Sequence, residues 1–254
     1  MSFSRKLRGL IEEIIAAFEF LTRIPMPPIR FEADSLSRAA KFFPMVGLVI
    51  GSGAVLLQKT LLPHLARPLV AFLVLAYLVL ITGGLHEDGL ADAADGFGGG
   101  RNRGEILLIL KDSRIGSYGA ISLLLSLLGR YLLLLSLPLE HFAAYLISAH
   151  VLCRWTSLPL SFVLSPAREQ HGQGARIARL TSIPSLLFGT VFSFAVVAVA
   201  LRWSATGPLL AATLLTALTG YLYYRKIGGV TGDCFGATNQ LAEIAVYLCG
   251  VWNT

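Results

Sequence analysis

Residues 68–96 read PLVAFLVLAYLVLITGGLHEDGLADAADG, and the two halves of this stretch ask for opposite surroundings. From Pro68 to Leu85 there is no charged residue. A helix needs about 20 mostly apolar residues to cross a hydrocarbon core about 30 Å thick, and this run approaches that length. Directly after it come His86, Glu87, Asp88, Asp92 and Asp95. An apolar helix that ends in a cluster of acids reads as a membrane span delivering carboxylates to the membrane surface.

Working outward, further apolar runs cover 42–62, 118–137, 141–164, 183–202 and 206–224, with a weaker one at 240–253. The composition agrees. The 254 residues are 55% hydrophobic and 14% charged, with a mean hydropathy of +0.68, whereas soluble domains carry roughly 25% charged residues. The fold expected is all-α, a polytopic transmembrane helical bundle of six or seven spans. It forms one integral membrane domain over 1–254, with 1–38 as an N-terminal segment on the membrane surface and 39–254 as the bundle. Ile11–Leu21 is expected as an amphipathic interfacial helix, ended by Ile24-Pro25-Met26-Pro27-Pro28 because closely spaced prolines cannot continue it. Residues 1–19 lack an apolar core followed by a small-residue cleavage site, so insertion is expected through the spans themselves.

The net charge of +6 is better explained by topology than by nucleic acid, since Lys and Arg concentrate on the cytoplasmic side of membrane proteins. Sixteen of the 21 cationic residues fall in the N-terminal segment and in the connections holding Arg101, Arg103, Lys111 and Arg114, then Arg168, Arg176 and Arg179, then Arg225 and Lys226. Lys59, Arg67 and Arg202 fall on the other side. The expectation is an inner-membrane protein whose N-terminus and long polar connections face the cytoplasm, with the lipid bilayer as partner, no nucleic acid, and room for a homo-oligomer. Cys153, Cys234 and Cys249 have neither disulfide nor zinc spacing and are expected as thiols. Gly47 and Gly51 form a small-xxx-small pair suited to close helix packing. No internal repeat is evident, which weakens a transporter reading.

At about 100° per residue, Asp88, Asp92 and Asp95 project from one face of a helix. Two unit charges 4 Å apart interact by about 4 kcal/mol at an effective dielectric near 20, so such a cluster calls for cations, proton uptake or a basic partner. An all-oxygen donor set favours Mg²⁺, Mn²⁺ or Ca²⁺ over zinc. The plain alternative is a solvated acidic helix end, but Gly89, Ala91, Ala93, Ala94 and Gly96 leave room around the acids and no Lys stands at i+4. Gly98–Gly104 is either a phosphate cradle with Arg101 and Arg103 or a flexible hinge. Lys111-Asp112-Ser113-Arg114 sets a further acid between cations at the mouth of the next span. Gly228–Asn239 carries Asp233 in a glycine-rich segment, and Glu243 lies beyond it in an apolar run, where an acid is functional by default. Arg130 and Arg154, inside spans, either pair with buried acids or reach the surface, and His86 and His150 read more readily as satisfied polar groups than as ligands.

Taken together, Phe20-Leu21-Thr22-Arg23-Ile24-Pro25-Met26-Pro27, His86–Gly96, Lys111–Gly116 and Gly229-Val230-Thr231-Gly232-Asp233 with Gly236 resemble the cobalamin synthase family, the adenosylcobinamide-GDP ribazoletransferases. The motifs stand in the family's order and span most of the chain; Glu87 occupies a position commonly apolar there. The resemblance implies transfer of a phosphocobinamide group from adenosylcobinamide-GDP to α-ribazole or α-ribazole 5′-phosphate, with release of GMP. It fits a Mg²⁺-bridged diphosphate attacked in line by an alcohol. On this reading Asp88, Asp92 and Asp95 are the metal ligands, and Asp95, Asp112 and Asp233 are catalytic, with Asp95 or Asp112 as the candidate general base. His86, Arg101, Arg103, Lys111 and Arg114 bind substrate. The segment 228–236 is expected to face 86–118. A CDP-alcohol phosphotransferase-like enzyme is the nearest alternative, although Asp92 stands where its motif has Arg; a cation transporter is the other.

Overall fold

Two consecutive glycines shape the bundle. Helix α4 (Arg67–Thr82) stops where Gly83 and Gly84 both take left-handed backbone, with φ of 66° and 72°, a region open to glycine at little steric cost. Their N–H groups close back on Leu80 and Val79, satisfying the last carbonyls. Helix α5 (Leu85–Gly99) leaves at 85° to α4. The apolar run expected over 68–85 is thus divided: its helix breaks at Gly83, and the acidic segment leaves as a separate helix. Asp95 lies at the N-terminus of α7 (Ser117–Ser136) and Glu87 is level with Arg130 farther along it, so α5 runs antiparallel to α7.

The computed structural model describes residues 3–28, 35–168 and 181–252, and the regular elements among them are helices. Before α4 come α1 (Phe3–Leu21), α2 (Ser35–Ala39) and α3 (Phe43–Leu61); α6 (Arg103–Ile109) lies between α5 and α7. After α7 come α8 (Leu139–Trp155), α9 (Ser157–Val163), α10 (Ile183–Leu201), α11 (Thr206–Ile227) and α12 (Gly232–Trp252). Helix α3 packs along α8, with Gly47 against the His150 carbonyl and Gly51 against the Ile147 backbone. The small-residue pair thus serves packing. Cys153, Cys234 and Cys249 are free thiols.

Four stretches are long and apolar enough to cross a membrane: Ser35–Leu61, Ser117–Ser136, Leu139–Val163 and Ile183–Ile227. The bent α4–α5 pair makes up to five. Two features relate this to the six or seven expected: one stretch holds two crossings, which makes up to six, and the seventh run falls short. The stretch 183–227 is 45 residues long, about twice one crossing. Trp155 bonds Thr190 and Ser161 bonds Thr181, while Gly220 packs on Leu160 and Leu164. Helices α10 and α11 therefore run in opposite directions along α8–α9. Helix α12, which holds the weak run 240–253, buries Asn239, Gln240 and Glu243 and does not meet the length-and-composition test.

Helix α1 begins earlier than the expected Ile11. It buries Ala16, Ala17 and Leu21 and points Arg8 and Glu12 outward, and Glu13 pairs with Arg38 and Lys41. Its end is fixed by Thr22, whose hydroxyl donates to the Phe18 carbonyl and accepts from the Ile24 N–H. Arg23 then donates its backbone N–H to Ile81, 2.7 Å away, holding the strap 20–23 over the α4–α5 turn.

Candidate active site

Helices α5 and α12 meet with no side chain between them. A Cβ on Gly236 would lie 3.0 Å from Gly89 Cα and 3.3 Å from the His86 carbonyl oxygen; one on Gly89 would lie 3.0 Å from Gly236 Cα. This backbone contact places the first turn of α12, with Asp233, beside the middle of α5. Asp92 feels the negative charge of Asp233, Asp88 and Asp95, and Asp233 feels that of Asp88. The expected meeting of 228–236 with the acidic helix is thus present, separated by more than a hundred positions in sequence.

The three acids of α5 do not act alike. Asp88 is exposed and Asp92 half-buried. Asp95 is buried, and its two oxygens accept from the Gly116 and Gly119 N–H groups at 2.7 and 2.8 Å. Its charge thus caps the N-terminus of α7, where an anion is favoured. A Cβ at either glycine would collide with the Asp95 carboxylate. Asp95 therefore differs from the other two acids of α5, since both of its oxygens cap a helix end, and Asp233 lies near Asp88 and Asp92. Asp233 accepts from the Thr231 hydroxyl at 3.1 Å. Burial pushes its carboxyl above the usual range and nearby Asp88 adds to this, while the Thr231 hydrogen bond and Arg168 oppose it.

A cavity of about 130 Å³ opens beside these acids, lined among others by Asp88, Asp233, His86, Ser157 and the rings of Phe20 and Phe235. Phe20 stacks on Phe43 at 5.7 Å, which brings the Phe20-Leu21-Thr22-Arg23 strap into the site. His86 is buried in this wall. A second, open groove of about 740 Å³ is lined by Arg103, Gly104, Leu107, Leu108, Lys111, Ala167 and Arg168. Arg103 donates to the carbonyls of Ile227 and Ala167 at 2.9 and 3.0 Å, joining α6 to the end of α11 and to the chain after α9. Arg168 bonds the Leu107 carbonyl and also reaches Asp233 electrostatically, so the basic groove adjoins the acids.

Other expected residues lie apart. Asp112 and Arg114 form an exposed local ion pair at 2.6 Å, which lowers the Asp112 carboxyl to about 2; the pair neutralises itself on the turn before α7, and neither residue lines the acid cavity. Of the glycine-rich run, Gly98 and Gly99 are the last turn of α5, and Asn102 caps α6 by accepting from the Glu105 N–H. That segment is a helix junction, with Arg101 exposed on it. Arg30, Arg176 and Arg179 lie outside the described residues. Sequence reasoning missed the pairing of Glu87 with Arg130 at 2.6 Å, although the appearance of Glu87 at a commonly apolar position was its signal.

Comparison with known proteins matches the same segments. The cobalamin-5-phosphate synthase family model covers residues 13–251. The chain is 40% identical to an adenosylcobinamide-GDP ribazoletransferase of Rhizobium johnstonii, over 97% of this chain and 98% of that one. It is 37% identical to the protein of that name in Shewanella woodyi, over 95% and 96%. No solved structure matches it significantly. Matched over nearly its whole length, with its acids gathered where α5 meets α12, the chain belongs to the cobalamin-5-phosphate synthase family.

Proposed function

We propose that the protein joins adenosylcobinamide-GDP to α-ribazole, or to α-ribazole 5′-phosphate, and releases GMP in a Mg²⁺-dependent phosphoryl-type transfer. The observation that carries this reading is the Gly89–Gly236 contact, which converges Asp88, Asp92 and Asp233. Among the described residues none of these three has an ion pair within 4.0 Å, and Arg168 acts on Asp233 only from farther off, so a bound cation would relieve most of their repulsion. The donor set is all oxygen and fits Mg²⁺ or Mn²⁺. The ion supplies charge neutralisation along the diphosphate and at the departing GMP.

The chain's own residues do the rest. The three carboxylates would hold the ion that faces the diphosphate, and one of them accepts the proton of the attacking alcohol. Arg103, Lys111 and Arg168, lining the adjoining groove, attract the phosphate oxygens. The cavity at Phe20 and Phe235, about 130 Å³, is far too small for a corrinoid. A corrinoid must therefore lie across the open end of the bundle. We place that end, with the N-terminus, on the cytoplasmic side of the bacterial inner membrane, following the distribution of Lys and Arg.

The test is direct. Detergent-purified protein incubated with adenosylcobinamide-GDP, α-ribazole phosphate and Mg²⁺ should release GMP in step with corrinoid product. No GMP under conditions where the protein is folded would refute the assignment.

A further inference from the structure

Below the acids lies a charged assembly that the proposed chemistry does not use. Arg130 of α7 is only 1% exposed. Its guanidinium donates to Glu87 of α5 at 2.6 Å, and to Gln240 and Glu243 of α12 at 3.0 and 2.9 Å. Gln240 in turn donates to Glu87 at 3.1 Å and accepts from Ser126 at 3.1 Å. Beyond Glu243, the Tyr247 hydroxyl meets His150 Nε2 at 3.1 Å, and Arg154 meets His150 Nδ1 at 3.1 Å. Donor atoms of His150, Cys153 and Glu243 come within 4.8 Å of one another. That group does not suit a metal, because Arg130 already neutralises Glu243 and Arg154 occupies His150 Nδ1 and approaches Cys153 at 3.4 Å.

Charges inside a membrane bundle are costly, and well-packed apolar replacements of buried ion pairs are often as stable or more so. Stability alone is therefore a poor reason for this assembly, and its placement suggests another. Glu87 and Asp95 both grip α7, the first through Arg130 and the second through the Gly116 and Gly119 N–H groups. Eight residues separate them, about 12 Å of helix. Between these two grips stand Asp88 and Asp92. The same guanidinium that holds Glu87 also holds α12, the helix that delivers Asp233.

We propose that Arg130, with Glu87, Gln240 and Glu243, is a positioning assembly that sets the register of α5 against α12, and so the spacing of Asp88, Asp92 and Asp233, without itself touching metal or substrate. The inference rests on the metal reading above. Its prediction concerns metal affinity: partners behind a metal site, when removed, typically weaken binding by about 10–100-fold.

The experiment uses the full-length detergent-purified protein, with Mn²⁺ binding followed by electron paramagnetic resonance beside thermal unfolding and GMP release. Two variants are informative. Arg130→Lys keeps the charge but not the fork that spans two helices, and Glu87→Gln/Arg130→Met/Glu243→Gln removes all charge together, leaving no uncompensated ion. Both should bind Mn²⁺ at least about tenfold more weakly than wild type, with the metal concentration for half-maximal GMP release rising in parallel. A folded variant of either kind with Mn²⁺ affinity and kcat within about twofold of wild type would show that the assembly is structural only. Wild-type protein that binds no Mn²⁺ would instead overturn the metal reading itself.

Discussion

Gly236→Ala adds one methyl group at the point where the two halves of the acid cluster meet. The new Cβ would sit 3.0 Å from Gly89 Cα and 3.3 Å from the His86 carbonyl. All the obstructing atoms are backbone, so no side chain can swing aside, and α5 and α12 must part by a few tenths of an ångström. Overpacking of this kind costs about 1–3 kcal/mol, while replacing glycine by alanine within a helix returns up to about 1 kcal/mol. The net loss of stability is then about 0–3 kcal/mol, too little to unfold the protein. Catalysis is less tolerant. Productive geometry must be kept within about 0.5 Å, and a misplacement of about 1 Å can cost about 100-fold. Gly236→Ala should therefore purify and unfold much like wild type yet lose several-fold, up to about tenfold, in kcat/KM for GMP release, with weaker Mn²⁺ binding. The matched control is Gly129→Ala on α7, where a Cβ meets nothing within 4 Å; activity there should be unchanged. Gly236→Ala with activity within twofold of Gly129→Ala would refute the argument that this backbone contact sets the site.

Removing metal with EDTA should abolish GMP release and Mg²⁺ restore it. Asp92→Asn should lower turnover by orders of magnitude in a protein that still inserts, and Asp92→Ala combined with Asp233→Ala should be little worse than either alone, because parts of one catalytic unit are non-additive. The raised Asp233 carboxyl gives a pH dependence of known sign. Metal-free folded protein holds this proton to higher pH than an unfolded chain does, so the group's contribution to stability is greatest at low pH and fades as pH rises. Metal binding must displace the proton and runs the other way, and Mn²⁺ titrations from pH 8 downward should show affinity falling before the ordinary carboxylate range near about 4 is reached. Topology reporters fused after Gly104 and Lys226 should read cytoplasmic and one near Glu140 external; opposite readings at two of these would separate the acids from the face on which we place the substrates.

The broad architecture was legible because the bilayer imposes a coarse rule. Long runs without charge become helices, and 118–137, 141–164 and 183–224 are helical much as their composition required. The family was legible because its motifs are polar residues in a mostly apolar chain, where each stands out. What the residues could not disclose was the partner of each acid. Helical periodicity put Asp88, Asp92 and Asp95 on one side of α5 correctly enough, but periodicity knows only its own helix. Whether a carboxylate on that side meets metal, a second acid or a helix N-terminus depends on which neighbour lies there.

The neighbours were fixed by features that look like nothing in a sequence. Gly83 and Gly84 end an apolar run early and set the acids on a helix of their own, 85° from it. Gly89 and Gly236 have no side chains to advertise that their backbones touch. Gly116 and Gly119 open a seat for Asp95 and give it partners that Asp88 and Asp92 do not share. Glu87 and Arg130, 43 positions apart in sequence, each read as a misplaced charge until they are seen to cancel. In a membrane bundle a lone buried charge is untenable. An unexplained acid in one span is therefore a constraint on another: Glu87 and Glu243 required cations at their own depth, and Arg130 in a span of its own was the residue able to meet both. Pairing such charges across spans by depth is a physical argument available before any coordinates, and here it joins α5, α7 and α12, the three helices that build the site.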